Sequence, residues 1–258
     1  MRGAVFNRGE IMEGQNEGLR FSSLGFALAV AIMLAACGGD SSSGAVNGGG
    51  SSDASYGKMT DRRDGQVYKT VKIGTQTWMA ENLNYKVDSS WCYDNSSDSC
   101  AKYGRLYTWT GAMNIASSYR YTSATAVISA PHQGACPAGW HVPTDAEWTT
   151  LENAVGGEDV AGTKLKSTSG WYDSGNGTDA YGFSALPAGY RYRNGNVGRV
   201  GYDFYGSFVD VGIDAFFWSA TEYDTDGAYR RYLGDDSAYM GTSSLKSDAL
   251  SVRCVQDL

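Results

Sequence analysis

The sequence predicts an α+β domain: two short helices, an irregular antiparallel sheet and long loops. Three observations carry that prediction. Helix signals fall early in the chain and strand signals late, instead of alternating. Tyrosine (18), tryptophan (7) and glycine (34) are abundant and proline (4) is scarce, a composition suited to short strands and tight turns. Of the 258 residues, 58–258 follow an unstructured-looking front and are long enough for one domain with a sizeable core.

The elements follow in order. Asp64-Gly65 marks a turn, after which Val67, Val71 and Ile73 alternate largely with polar residues up to Gly74-Thr75, and Gln76 to Glu81 runs back as the second strand of a hairpin. Trp109, Ala112, Met113 and Ala116 recur at the spacing of one helix face, which predicts a short amphipathic helix from Thr108 to Ser117. The second helix is better marked. Thr144 and Glu147 form a T-x-x-E capping box after Pro143, Trp148, Leu151 and Val155 share a face, and Gly156-Gly157 supplies the stop. Downstream, Gly182 to Ala188, Ala215 to Thr221, Tyr229 to Leu233 and Leu250 to Val255 read as strands. The polar connections Asp173 to Asp179 and Tyr223 to Gly227 belong on the surface.

The front of the chain reads as a targeting segment. Phe21 to Ala36 is an uncharged run after Arg20, short for a membrane span and suited to a signal-peptide core. Leu34-Ala35-Ala36-Cys37 closes it and resembles the bacterial lipobox, which makes 1–36 a signal peptide and Cys37 the acylated first residue of the mature chain. The competing reading is an uncut signal anchor. Each buried acyl CH₂ contributes about 0.8 kcal/mol, so several chains hold a protein on a membrane where one does so only marginally. Residues 37–57 are then a Gly/Ser tether, and 58–258 face the periplasm or the cell exterior.

A net charge of −7 argues against a nucleic-acid partner, which requires a basic face. Four cysteines remain besides Cys37: Cys92, Cys100, Cys136 and Cys254. In an export context two disulfides are expected, and no cofactor. Of three pairings we favour Cys92 with Cys100, closing the polar loop YDNSSDS, and Cys136 with Cys254. Zinc is the alternative, but the thiols lack a CxxC pair.

Six blocks carry a family resemblance: TDRRDGQVYKTVKIGTQTWMAENLNY (60–85), WCYDNSSDSCAKYGRLYTWTGAMN (91–114), CPAGWHVPTDAEWTTLE (136–152), GFSALPAGYR (182–191), FWSATE (217–222) and SVRCV (251–255). Together they resemble the Fibrobacter succinogenes major paralogous domain over essentially all of 58–258, which implies an exported bacterial protein, often a lipoprotein. More distantly, Pro143 to Trp148 and Val252 to Cys254 are similar to the helix opening and closing strand of the formylglycine-generating-enzyme and C-type-lectin fold group. That likeness implies a lectin-like fold without supplying function. The enzyme's paired catalytic cysteines and the lectins' calcium-and-sugar signatures are both absent, so neither activity is carried over.

No catalytic residues are assigned. His132 and His141 are the only histidines, and His141 reads as a buried structural residue. Glu81, Glu147 and Glu222 are the carboxylates to weigh for a glycosidase-like pair. Asp224 and Asp226 are the weak candidates for calcium, against a solvated loop. Aromatic loops are the better lead, because exposed rings flanked by Asn, Asp and Arg suit a sugar ring or another protein. Trp171, Tyr190, Arg191, Tyr192, Arg193 and Tyr202 are the candidate ligand-binding residues. The expected function is a cell-envelope lipoprotein displaying a non-catalytic module for a polysaccharide or a surface protein; the alternatives are a structural or assembly lipoprotein and a polysaccharide-acting enzyme.

Overall fold

A computed structural model describes residues 55–192, 206–235 and 243–258. Cys37, Arg193 and Tyr202, with the signal segment and most of the tether, lie outside the described residues. The architecture is α+β, as expected, with four α-helices among the described residues where two were predicted.

A five-stranded sheet has the order β1-β2-β3-β13-β6, built from β1 (Tyr56–Thr60), β2 (Val67–Ile73), β3 (Gln76–Met79), β13 (Val255–Gln256) and β6 (Trp140–His141). The predicted hairpin is its β2–β3 pair, with Val71 opposite Trp78. Tyr56 and Gly57, assigned to the tether from sequence, already belong to β1 and pair with Val71 and Thr70. The larger sheet runs β11-β10-β9-β7-β12-β5-β4, with β8 on β7. Its strands are β4 (Ser90–Trp91), β5 (Leu106–Thr108), β7 (Ala188–Arg191), β8 (Phe208–Val211), β9 (Asp214–Glu222), β10 (Gly227–Gly234), β11 (Ser243–Leu245) and β12 (Ala249–Ser251). It is not purely antiparallel: β9 runs parallel to both β7 and β12.

β9 shows why this sheet is buried. Phe216, Trp218 and Ala220 pack into one apolar cluster with Tyr107, Trp109 and Leu250, while Ala215 and Phe217 enter a second one with Trp78 and Trp148. Alternate side chains leave a strand on opposite faces, so a strand apolar at successive positions is covered on both.

The helices are α1 (Ser97–Tyr103), α2 (Trp109–Ala112), α3 (Asp145–Ala154) and α4 (Glu158–Leu165). In α3 the capping box is complete, with Thr144 Oγ1 accepting from Glu147 N and Glu147 Oε2 accepting from Thr144 N. Its Trp148 ring sits 4.7 Å from Trp78 and 5.7 Å from Phe217. The helix predicted over Thr108 to Ser117 stops at Ala112. Asn114 is left-handed (φ 52°), and the Ala112 carbonyl accepts from Ala135 N at 2.7 Å instead of from a further helical turn.

α1 was missed inside the stretch read as a polar loop. It buries Cys100 and ends at Gly104, whose φ of 72° and closeness to the Asn82 and Leu83 carbonyls exclude a side chain. The strand predicted over Gly182 to Ala188 begins only at Ala188. Ser184 is left-handed (φ 51°), and its N–H and hydroxyl are both held by the Asp179 carboxylate.

Both expected disulfides form, Cys92–Cys100 and Cys136–Cys254, with Cα separations of 4.8 and 6.0 Å. They suit an extracytoplasmic location. No helix among the described residues is long and apolar enough to cross a membrane.

Candidate functional site

Trp171 is not a surface residue. It is 6% exposed, packs with Phe183, Ala185 and Leu165, and donates its indole N–H to Ser167 Oγ at 3.0 Å. The sequence makes Trp171 a surface candidate in a loop-like segment, and a short buried stretch beside the polar Asp173 to Asp179 connection has no periodicity to reveal it. The remaining candidates divide across β7. Tyr190 and Tyr192 share one face, with ring centroids 6.3 Å apart. Arg191 points the other way and lays its guanidinium 4.4 Å from the Trp91 ring and 5.8 Å from Phe208.

On the Tyr190 face three strands build an aromatic shelf. β7 places Tyr190 5.0 Å from Phe216 of β9, edge to face, and β10 stacks Tyr232 on the same Phe216 at 5.1 Å. The register sets this, because Tyr232 lies directly opposite Phe216 and Arg230 opposite Trp218, so all four side chains leave the same face. Tyr190, Tyr192, Arg230 and Tyr232 are half-buried, and Phe216 between them is only 4% exposed. Arg230 sits 4.3 Å above the Phe216 ring, and its Nε is buried with no hydrogen-bond partner among the described residues. Gly189 makes the approach of β8 possible: with φ at 60°, a Cβ there would collide with the Val209 carbonyl.

The shelf has an unusual charge environment. Burial raises the Tyr190 hydroxyl to about 12, and nearby Asp210 and Asp248 reinforce the shift. Burial also pushes the Asp214 carboxyl up to about 6; Asp210 adds repulsion, and a hydrogen bond from Tyr232 works against both. Arg230 is lowered by the same loss of water, against the field of Tyr190 and Asp248. A partly desolvated cation, a carboxylate and two half-buried phenols form a set that can meet a ring while exchanging hydrogen bonds with its hydroxyls.

Phe216, Arg230, Tyr232 and Asp214 were not among the candidates from sequence. Their signal was the period-two pattern of AYRRYL set against AFFW, which requires knowing that β9 and β10 pair.

The other candidates are engaged elsewhere. Asp224 Oδ1 accepts from the backbone N–H groups of Asp226 and Gly227, at 3.1 and 2.7 Å, closing a turn. No group of three or more metal-ligating side chains occurs among the described residues. Glu81 accepts from Lys69 N, Glu147 serves the α3 cap, and Glu222 holds Lys246 at 2.5 Å, so each of these carboxylates stands in a different network. His141 is buried between Glu147 and Asp257. A separate polar groove of about 630 Å³ runs beside Tyr85, Asp88 and Asn114. At its side the Arg63 guanidinium stacks 3.8 Å over Tyr85 and is held by the buried Asp61.

Fold and cysteine pairing together define a disulfide-stapled α+β domain that carries an aromatic shelf on its larger sheet. The chain belongs to the Fibrobacter succinogenes major domain family, whose model matches residues 71–256. No curated protein and no solved structure matches the chain significantly.

Proposed function

We propose that this chain is a cell-envelope lipoprotein, anchored through an acylated Cys37, that displays a non-catalytic module for binding surface glycan. The observation that carries the binding reading is the shelf, in which Tyr190 and Tyr232 flank Phe216 beneath an Arg230 whose Nε has no hydrogen-bond partner among the described residues. Sugar rings present apolar C–H faces and hydroxyl edges, and this arrangement offers aromatic faces beside a donor, an acceptor and phenolic hydroxyls. The anchor is supported by the apolar run closing on Leu34 to Cys37, by the Gly/Ser tether and by the two disulfides. A C-type-lectin-like arrangement is part of the same reading. It is supported by the helix that opens at Pro143 to Trp148 and by the closing segment Val252 to Cys254.

The test is retention of the full-length protein on immobilised polysaccharides. Tyr190→Ala and Tyr232→Ala are expected to weaken retention at least tenfold while the protein stays folded. Equal retention of both variants and the parent would sink the glycan reading, and capture of a fixed protein neighbour by crosslinking in cells would replace it with an assembly role. For the anchor, Cys37→Ser is expected to abolish acyl labelling and release the protein from the membrane fraction.

A further inference from the structure

We infer that a second site, a basic pocket between the five-stranded sheet and α1, binds a small carboxylate-bearing ligand of one-ring size, a hexuronate being the sugar of that class. The pocket measures about 240 Å³ and shares no residue with the aromatic shelf. Three cations line it, Lys69, Lys102 and Arg253, against one carboxylate, Glu81. In a chain of net charge −7 this is a local reversal of sign.

None of the three cations is in an ion pair among the described residues. Lys69 and Lys102 have their ammonium groups 5.8 and 4.6 Å from the rings of Tyr56 and Tyr103. Arg253, at the floor, is fully buried. Its guanidinium donates only to neutral oxygens: Asn82 Oδ1 at 2.6 Å, the Ser184 carbonyl at 3.4 Å and the Phe183 carbonyl. It lies 4.3 Å from the Phe183 ring and 5.3 Å from Phe217, with Glu81 and Asp179 contributing only through their longer-range field. Buried charge is normally paired, because an isolated ion in an apolar surrounding loses most of its hydration. Burial accordingly drags the Arg253 pKa down to about 9. An anion above it restores the missing counter-charge.

The lining also selects for size and hydroxyls. The volume falls below the range of about 300–1,000 Å³ that holds drug-sized ligands, which limits the occupant to a single ring or a smaller acid. Asn84 supplies an amide group at the wall, whereas the Asn82 amide is taken up by Arg253, Tyr103 and Ser251. Glu81 already accepts from the Lys69 backbone at 2.7 Å, which ties the acidic side of the pocket into the sheet. A ligand carrying one carboxylate and several hydroxyls satisfies both the charge and the Asn84 amide; a neutral sugar satisfies only the amide.

The experiment titrates glucuronate, and separately glucose, into the full chain in a neutral detergent and follows backbone amide shifts. Glucuronate is expected to give saturable shifts at Lys69, Asn82, Asn84 and Lys102, with none from glucose at the same concentration. Lys69→Gln combined with Lys102→Gln, both on the rim and outside the core, is expected to weaken glucuronate at least tenfold with an otherwise unchanged spectrum. Non-saturable shifts, equal responses to glucose and glucuronate, or undiminished binding by the double variant would each overturn the assignment. Because the shelf variants are tested on other residues, loss of the glycan reading leaves this result independent.

Discussion

His141 bridges two carboxylates, with Nε2 2.7 Å from Glu147 Oε1 and Nδ1 2.6 Å from Asp257 Oδ1. Two acceptors require both ring nitrogens to donate, which only the imidazolium can do. Burial alone disfavours that cation, yet the two hydrogen bonds outweigh it and raise His141 above 6.5; burial of Glu147 is likewise outweighed by His141 and Thr144, which hold its carboxyl below 4.5. The raised histidine stabilises the fold fully below its unfolded pKa, and that share is lost as pH rises through the folded value. Glu147's share is present above its unfolded pKa and is lost as pH falls through its lowered one. Melting temperature measured from pH 4 to 9 is expected to decline on the alkaline side, and His141→Gln to remove that decline.

Asp214 gives the opposite slope for an acid. With a folded pKa near 6 against the ordinary 3.8, the folded state binds the extra proton between those values, so stability falls as pH rises through that window. Asp214→Asn is expected to raise the melting temperature at pH 7 and leave it unchanged at pH 3, as read by calorimetry.

Lys246 is fully buried and donates to Glu222 Oε1 at 2.5 Å, to the Thr225 carbonyl at 2.9 Å and to the Thr122 carbonyl at 3.3 Å. It thereby ties the β9–β10 turn to the segment after α2. Removing one partner of a buried pair leaves the other charge uncompensated, so Lys246→Ala is expected to cost about 3–5 kcal/mol in urea unfolding. Lys246→Met with Glu222→Gln, which removes both charges, is expected to cost less than the single change.

The two disulfides should differ in weight. Their sequence separations are 118 and 8 residues. On the chain-entropy account, replacing Cys136 and Cys254 by serine costs about 4–5 kcal/mol, and replacing Cys92 and Cys100 about 2–3 kcal/mol. Denaturant midpoints of the two double variants check the order.

Trp171→Ala is expected to act on stability alone. A buried Trp-to-Ala change costs about 3–5 kcal/mol, and glycan retention by the folded fraction should match the parent, in contrast to Tyr190→Ala.

What the sequence disclosed was local. The Thr144–Glu147 capping box and the Val67-to-Met79 hairpin are each written within about a dozen residues, and both appear where expected. The same holds for β9 and β10, whose apolar runs end in turn residues. What it hid depends on partners far along the chain. The helix after Thr108 is cut short by an acceptor claimed by Ala135, and Trp171 is buried by Phe183 and Leu165. The shelf was half-legible: Tyr190 and Tyr192 stand out as a run, whereas Phe216, Arg230 and Tyr232 meet them only through the order β10-β9-β7.

The placement of the last two strands bears on how the domain comes to exist. β12 lies between β5 and β7 in the larger sheet, and β13 between β3 and β6 in the smaller, so both sheets have an interior position filled by residues 249–256. Until that stretch has left the ribosome, β5 and β3 each present an open edge, and neither apolar cluster has its Leu250, Val252 or Val255. Neither sheet is therefore complete without residues 249–256, and the two apolar clusters close on the same short stretch of chain.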